Sequence, residues 1–431
     1  MKILVVGGGG REHTIIWKLS QSDKITTLYC APGNGGISQL ACCVDIEATD
    51  IVGMVNFAKE KSIDMVMVAP DNPLSIGMVD ALQNAGIRAF GPLQNAAMIE
   101  SSKAFSKDLM RKYNIPTADF EIFSDIQPAV DYINKKGTPI VVKASGLALG
   151  KGVVVAQTVD EAIDAVHSMM SDRIYGEAGS SIVIEECLFG REVSVLAFTD
   201  GETVIPMASA QDHKRVFDGD KGLNTGGMGT FSPSKYYTDD IAKECMDNIY
   251  IPTIKAMQKE GCPFSGVLYF GLIMTAGGVK VIEYNARFGD PETQVVLPKL
   301  KTDLVDIFNA VIDKKLHEIN IEWNDNACVC VILASGGYPL SYKTGYEITG
   351  VKDALSDDNI EIFHSGTKII NDKLYTAGGR VLGVTAICDT MENARKKAYA
   401  AVEKISFEGM HYRKDIGSVK RSMKTFLSQN T

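Results

Sequence analysis

The sequence predicts a chain of several domains, mixed α/β and α+β in class, and three observations predict it. The first third alternates short β-rich runs with helical stretches, the rhythm of a parallel sheet with helical crossovers. Past residue 115 two strands meet across a glycine loop with no helix between them, which implies an antiparallel pair. From Cys328 another β-rich unit begins and lasts to the C-terminus. The 431 residues leave room for about three domains at roughly 150 residues each.

In order, Ile3 to Val6 reads as a buried strand, Glu12 to Leu19 as a helix, Ile25 to Tyr29 as a second strand and Met65 to Val68 as a third. The rhythm pauses near Gly91-Pro92. Ser102 reads as the N-cap of a helix from Lys103 to about Tyr113, so a first domain, Rossmann-like, ends at residue 102. After Ile115-Pro116 come helix Ile126–Lys136, strand Ile140–Val142, a glycine loop, strand Val153–Val155, helix Val159–Met170 and strand Ile182–Ile184. Together they form a small α+β lid, about 117–192, inside a central domain, 103–325. Gly266 to Met274 and Lys280 to Asn285 flank Ala276-Gly277-Gly278 as a hairpin. Residues 213–233 read as a long glycine-punctuated loop, Ile319 to Asn326 is polar, and a β-rich domain takes 326–431.

A hydrophobic fraction of 45% and a charged fraction of 23% exclude disordered, collagen-like and disulfide-scaffold classes. Lys plus Arg is 44 against 53 Asp plus Glu, a net charge of -9, opposite in sign to a nucleic-acid binder, so any phosphate handled is expected on a small molecule. Nine cysteines without zinc-site spacing read as reduced thiols, which with no signal-peptide core suggests a cytoplasmic protein. The uncharged apolar run Val267 to Val279 falls short of the ~20 residues of a membrane span.

Gly7-Gly8-Gly9-Gly10-Arg11-Glu12 joins a strand to a helix, where backbone N–H groups and the helix dipole make an anion cradle. A dinucleotide site is disfavoured twice: Glu12 occupies the third small-residue position, and Tyr29-Cys30-Ala31-Pro32 offers no ribose-binding acid. Another phosphate, or a tight turn with no ligand, remains. Lys143 leaves an apolar strand before Ala144-Ser145-Gly146-Leu147-Ala148-Leu149-Gly150-Lys151-Gly152, an arrangement suited to a polyphosphate or simply a solvated hairpin. It is no P-loop, since Gly152 stands where Ser or Thr would hold magnesium. Glu283 and Asn285 lie two apart on one strand face, hard oxygen donors for magnesium, and Arg287 continues the alternation before Asp290-Pro291-Glu292-Thr293. Gln211-Asp212-His213-Lys214-Arg215 leads into Asn224-Thr225-Gly226-Gly227-Met228-Gly229, either a cover for a charged ligand or a plain loop.

These segments, in this order, resemble the phosphoribosylamine–glycine ligases, or glycinamide ribonucleotide synthetases, of the ATP-grasp superfamily. The resemblance rests on VVGGGGREH from Val5, APGNGG from Ala31, KASGLALGKGVVV from Lys143, QDHKR from Gln211, NTGGMGTFSP from Asn224, EYNARFGDPETQ from Glu283, TAGGRVLGV from Thr376 and Asp415-Ile416-Gly417. It implies an ATP-grasp fold and ligation of glycine to 5-phosphoribosylamine through glycyl phosphate, in de novo purine biosynthesis. It places Lys103 and Lys143 near the ATP phosphates, Gly150, Lys151 and Gly152 over them, Glu185, Glu186 and Leu188 at the adenine edge, and Glu192 on the ribose. Glu283 and Asn285 would take Mg2+ or Mn2+. Gly9, Gly10, Arg11, Asn34 and Gly35 would hold the ribose 5-phosphate, with Asp71, Asn224, Thr225, Gly226 and Gly227 also on the substrate side.

Arg287 is expected where γ-phosphate and glycine carboxylate meet, Asp212 at the glycine ammonium, and Lys214 beside them as a further catalytic group. There are three departures from the expected pattern: Ser145 stands where Asp is common, Ala69 and Asp71 stand in a segment usually reading GPE, and Gly271 lies where other grasp enzymes carry another acidic metal ligand. A monomer with small-molecule partners only is expected. The competing readings are an ATP-grasp carboxylase, an oxidoreductase built on the N-terminal fold, and an inactive ATP-binding regulator, which the retained Lys143, Glu283, Asn285 and Arg287 oppose.

Overall fold

The computed structural model describes residues 1–148 and 152–418. Gly150 and Lys151 lie outside the described residues. The N-terminal sheet is fully parallel, in the order β3-β2-β1-β4-β5, from β1 (Lys2–Gly7), β2 (Thr27–Pro32), β3 (Cys42–Cys43), β4 (Met65–Val68) and β5 (Ala89–Phe90). Ile3 and Val5 enter one apolar core and Leu4 and Val6 another, because helices cover both faces of the sheet. These helices are α1 (Gly10–Leu19), α2 (Ile51–Lys61), α3 (Asp71–Ser75), α4 (Met78–Asn84) and α5 (Gln94–Ser101). The second strand runs on to Pro32, past its expected end, since pairing along the whole of β1 carries it there.

Next comes α6 (Lys103–Lys112), whose N-cap Ser102 accepts from Phe105 N at 3.2 Å. The segment expected to form a lid is a sheet of β6 (Phe120–Phe123), β7 (Ile140–Ala144), β8 (Val153–Ala156) and β9 (Ile182–Glu186), ordered β6-β9-β7-β8 and backed by α7 (Ile126–Lys136) and α8 (Val159–Met170). The β7–β8 pair is antiparallel, as the missing helix required. The lid core is drawn from residues between Phe123 and Ile184, with no apolar residue from elsewhere in the cluster. The central antiparallel sheet runs β11-β10-β16-β17 and comprises β10 (Arg191–Asp200), β11 (Val204–Pro206), β16 (Ser265–Thr275) and β17 (Gly278–Asn285).

The segment read as a loop over 213–233 is largely ordered strand. It follows β12 (Gln211–Asp212) and holds the hairpin β13 (Arg215–Phe217) and β14 (Lys221–Asn224), then β15 (Gly229–Ser232). Its sequence is polar because a charged partner holds it: buried Arg413 donates to Arg215 O at 2.8 Å and pairs with Asp220 at 3.0 Å. β12 and β15 extend the C-terminal sheet, ordered β12-β15-β18-β22-β19, which includes β18 (Ala327–Ala334), β19 (Ile360–His364) and β22 (Arg380–Cys388). A further hairpin joins β20 (Thr367–Ile370) to β21 (Lys373–Thr376). No helix among the described residues is long and apolar enough to cross a membrane.

Candidate active site

β17 carries the densest chemistry. A bulge lies between Gly271 and Leu272 of β16, and Gly271 sits opposite Glu283, where a β-carbon would come within 3.0 Å of Glu283 Cγ. Glycine at that position makes room for the Glu283 side chain. Lys214 Nζ is 3.4 Å from Glu283 Oε1 and 3.6 Å from Glu192 Oε2. The positive charge of Lys214, with Lys143 and Lys103 behind it, outweighs burial and holds the Glu283 carboxyl down at about 2. Asn285 Oδ1 accepts from Arg287 Nη2 at 3.1 Å. The same Arg287 nitrogen pairs with Glu100 at 2.9 Å, while the other Glu100 oxygen accepts from Ala286 N at 2.7 Å. Glu100, absent from the sequence reading, thus braces the Asn285–Arg287 backbone from the N-terminal sheet's last helix. Asp71 adds negative potential to this group.

The lysines converge from two elements. Lys103 opens α6, its backbone N donating to Ser145 O at 2.8 Å and its ammonium to Gly146 O at 3.3 Å. Ser145 Oγ accepts from Ala104 N at 3.1 Å, so this departure from the common Asp still caps the helix. Lys143 stands next to last in β7, with its ammonium 2.9 Å from Glu185. Glu185, expected at the adenine edge, has its carboxylate between Lys143 and Lys107, the latter at 3.0 Å. Glu186 pairs with Lys280 at 2.8 Å, Leu188 is half-buried and Glu192 exposed. At Gly152 a β-carbon would sit 2.6 Å from Ala148 Cβ, so the two arms of the glycine hairpin approach closely there.

Asp212 accepts from His213 N at 2.6 Å, and burial, reinforced by the charge of Glu292, pushes its carboxyl well above the usual range. Gly227 has φ +111° and would place a β-carbon 2.8 Å from Asp212 Oδ1. Thr225 Oγ1 donates to Lys214 O at 2.8 Å and accepts from Gly227 N at 3.0 Å. Asn224 pairs with Arg215 across the hairpin. Arg380 of β22 donates to Gly226 O at 2.6 Å and to Asp290 O at 2.9 Å, and its guanidinium pairs with the Asp290 carboxylate at 2.9 Å. The C-terminal sheet therefore holds the Asn224–Gly227 turn against the Asp290–Glu292 turn. Glu292 is anchored by Ser194 Oγ and Tyr269 OH, each at 3.1 Å.

At the N-terminal cradle Gly9 N donates to Glu12 Oε2 at 2.7 Å, and Arg11 donates to Glu12 Oε1 at 2.7 Å and to Phe288 O at 3.2 Å. Asn34 Nδ2 donates to Gly8 O at 2.8 Å and His364 O at 2.7 Å, its Oδ1 accepts from Gly36 N at 2.9 Å, and Gly35 N donates to Thr367 O at 3.0 Å. The side chains of Arg11 and Asn34 are engaged in building the cradle. β-carbons at Gly9 and Gly10 would lie 3.7 and 3.8 Å from the Asp290 carboxylate, so the cradle faces the turn that follows β17. The structure thus brings together Gly9, Gly10, Asp212, Lys214, Gly226, Gly227, Glu283, Asn285 and Arg287, with Lys103 and Lys143 behind Glu283, whereas Glu186 lies at the lid–core junction. Lys107, Glu100, Glu292 and Arg380 were not singled out; Glu292 and Arg380 fall inside quoted motifs, while Glu100 and Lys107 left no local signal.

Three family models tile the chain: the phosphoribosylglycinamide synthetase N domain over residues 1–100, its ATP-grasp (A) domain over 101–293 and its C domain over 328–419. The phosphoribosylamine–glycine ligase of Halalkalibacterium halodurans is 50% identical over 97% of both chains, and that of Salmonella typhimurium is 48% identical over 97% of this chain and 98% of its own. A solved phosphoribosylamine–glycine ligase from Thermotoga maritima superposes with a TM-score of 0.82 at 32% identity, covering 96% of this chain and all of that one. A Campylobacter jejuni biotin carboxylase shares the fold, with a TM-score of 0.75 at 14% identity over 100% of this chain and 96% of its own. The fold and the Glu283–Asn285 strand beneath two lysines define an ATP-grasp ligase. Within that class, the chain belongs to the phosphoribosylglycinamide synthetase family, whose enzymes join glycine to phosphoribosylamine with ATP in purine biosynthesis.

Proposed function

We propose the following route for that ligation. ATP lies between lid and central sheet, its phosphates by Lys103 and Lys143 with Gly150, Lys151 and Gly152 assigned to them, its base near Glu185, Glu186 and Leu188 and its ribose near Glu192. A glycine carboxylate oxygen attacks the γ-phosphorus and ADP leaves; the amine of 5-phosphoribosylamine then attacks the acyl carbon of glycyl phosphate, loses a proton and expels phosphate. Positioning and charge neutralisation carry both steps. Arg287 neutralises the meeting of γ-phosphate and carboxylate, Asp212 holds the glycine ammonium, and the Asn224–Gly227 turn closes the site against water, which would hydrolyse the acyl phosphate. The ribose 5-phosphate rests on the backbone at Gly9, Gly10 and Gly35, in a cradle built by Arg11 and Asn34, with Asp71 behind it.

A divalent cation fits Glu283 and Asn285. Glu283 is ionised, both residues offer hard oxygen, and Lys214 already bridges Glu283 and Glu192 as a cation would. No group of three His, Cys, Asp or Glu residues is placed to hold a metal among the described residues, so phosphate oxygens and water complete the shell. Mg2+, with Mn2+ as substitute, would neutralise phosphate charge there. The domains divide as 1–102, 103–325 with the lid at about 117–192, and 326–431; the protein works as a cytoplasmic monomer, and its net charge of -9 disfavours nucleic acid.

The observation that carries this reading is the convergence of Lys214, Lys143 and Lys103 on one ionised carboxylate. ADP release measured with each substrate omitted in turn tests it. Release should need both glycine and phosphoribosylamine, and release with neither would overturn the route.

A further inference from the structure

Lys107 carries a buried charge with no part in the route above. It lies one turn beyond Lys103 on α6, with a side-chain exposure of 2%, and its ammonium is 3.0 Å from Glu185 Oε2 and 2.7 Å from Thr117 Oγ1. Thr117 Oγ1 in turn donates to Val281 O of β17 at 2.7 Å. The other Glu185 oxygen is 2.9 Å from Lys143 Nζ, which also reaches Ile282 O at 3.4 Å. A polar chain therefore runs from lid strands β7 and β9 through α6 to β17, ending two residues before Glu283. The lid's apolar core contains no residue of α6 or β17, so these polar contacts tie the lid to that helix and strand.

Charge decides what the chain does. Glu185 between two ammonium groups leaves one net positive charge on the trio, and the Lys143 charge also acts on Glu283. Without Lys107, Glu185 and Lys143 would form a closed neutral pair, and a lysine satisfied by a buried carboxylate attracts an incoming anion far less.

We propose that Lys107 is a positioning residue for ATP: by occupying one oxygen of Glu185 it keeps the Lys143 charge available to the polyphosphate, and through Thr117 it sets the lid against the metal strand. The inference rests on the reading of Lys143 as a phosphate contact.

Titration calorimetry with MgATP on the full chain, together with steady-state kinetics, tests it in Lys107→Met, Glu185→Gln, the double variant and Lys143→Ala. Lys107→Met should weaken MgATP binding about tenfold while glycine KM stays within about twofold. In the Glu185→Gln background the same substitution should cost less than about threefold, because no carboxylate remains to capture Lys143. A purely structural Lys107 would move both backgrounds alike. Unchanged MgATP affinity in Lys107→Met, or an equal loss in both backgrounds, overturns the proposal. Should Lys107→Met fail to fold, Glu185→Gln compared with the double variant still decides, since a tenfold loss there would mean direct contact with ATP. Unchanged MgATP affinity in Lys143→Ala would instead remove the phosphate reading on which the proposal stands.

Discussion

At Glu283 a single side chain gathers the charges of three lysines, and its behaviour can be forecast from that. Its carboxyl is depressed from 4.5 to about 2, so its contribution to stability is complete above pH 4.5 and fades as pH falls toward 2. Between pH 5 and 9 Glu283 should not titrate, and an acid limb in kcat/KM must come from another group. Glu283→Gln should lower kcat about 100-fold with the fold intact; a magnesium titration showing full activity at low metal would remove the assignment. Arg287→Ala should also cost about 100-fold in kcat, whereas Asp212→Asn should mainly raise glycine KM; kinetics at saturating ATP separate the two, and the reverse pattern would interchange the roles. Glu283 and Asn285 could be found from sequence because they share one face of β17, whereas Arg287, expected to continue that face, lies two residues past the end of the strand. Glu100 could not, since its contact to Ala286 spans 186 residues of chain. Arg11 stands in the glycine run and Asn34 entered only through the resemblance, and the fold shows their side chains bonded to Phe288 O and His364 O.

At the scale of elements, α7 and α8 begin and end where periodicity placed them, and α6 within a residue, because their ends are written locally: Ser102 and Thr158 cap, Thr158 in a box with Glu161. β10 and the 211–233 strands were not legible. β10 pairs with β16 from Arg191↔Met274 to Asp200↔Ser265, and β15 with β18 about 100 residues onward, so distant partners order them. The β13–β14 hairpin depends most on one such partner. Arg413 is buried, pairs with Asp220 and with Asp415 at 2.9 Å, and Asp218 accepts from Lys414 N at 2.8 Å. Arg413→Ala should destabilise the protein by about 3 kcal/mol or more, read from the denaturant midpoint, because charges and carbonyls placed around the guanidinium lose their partner. The loosened hairpin adjoins Lys214 and Thr225, so ligase activity should fall as well.

For the whole molecule, α1 and β19 meet at two buried histidines. His364 N donates to His13 Nδ1 at 2.7 Å, which requires neutral His13, and burial pushes His364 to about 4 and His13 well below 6.5, with His364 adding to the latter. Both folded values are depressed, so the unfolded chain binds more protons between pH 6.5 and 4 and stability falls as pH drops through that window. Thermal unfolding followed from pH 7.5 to 4.5 should show this loss, and His13→Gln should flatten it; an unchanged slope would clear the histidines of the effect.

The two strands lent to the C-terminal sheet by residues 211–212 and 229–232 predict that the molecule can be cut without coming apart. Opening the backbone in the polar stretch near residue 325 would give a C-terminal piece whose β18, buried at every residue from Ala327 to Ala334, shows a bare edge where β15 belonged. Alone, that piece should aggregate through the exposed edge. Produced in the same cell as residues 1–325, it should be captured by β15, with Arg380 closing onto Asp290 and Arg413 onto Arg215. Co-purification of the two halves with recovered ligase activity is the expected result, and two halves that do not associate would show that the shared strands do not hold the molecule together.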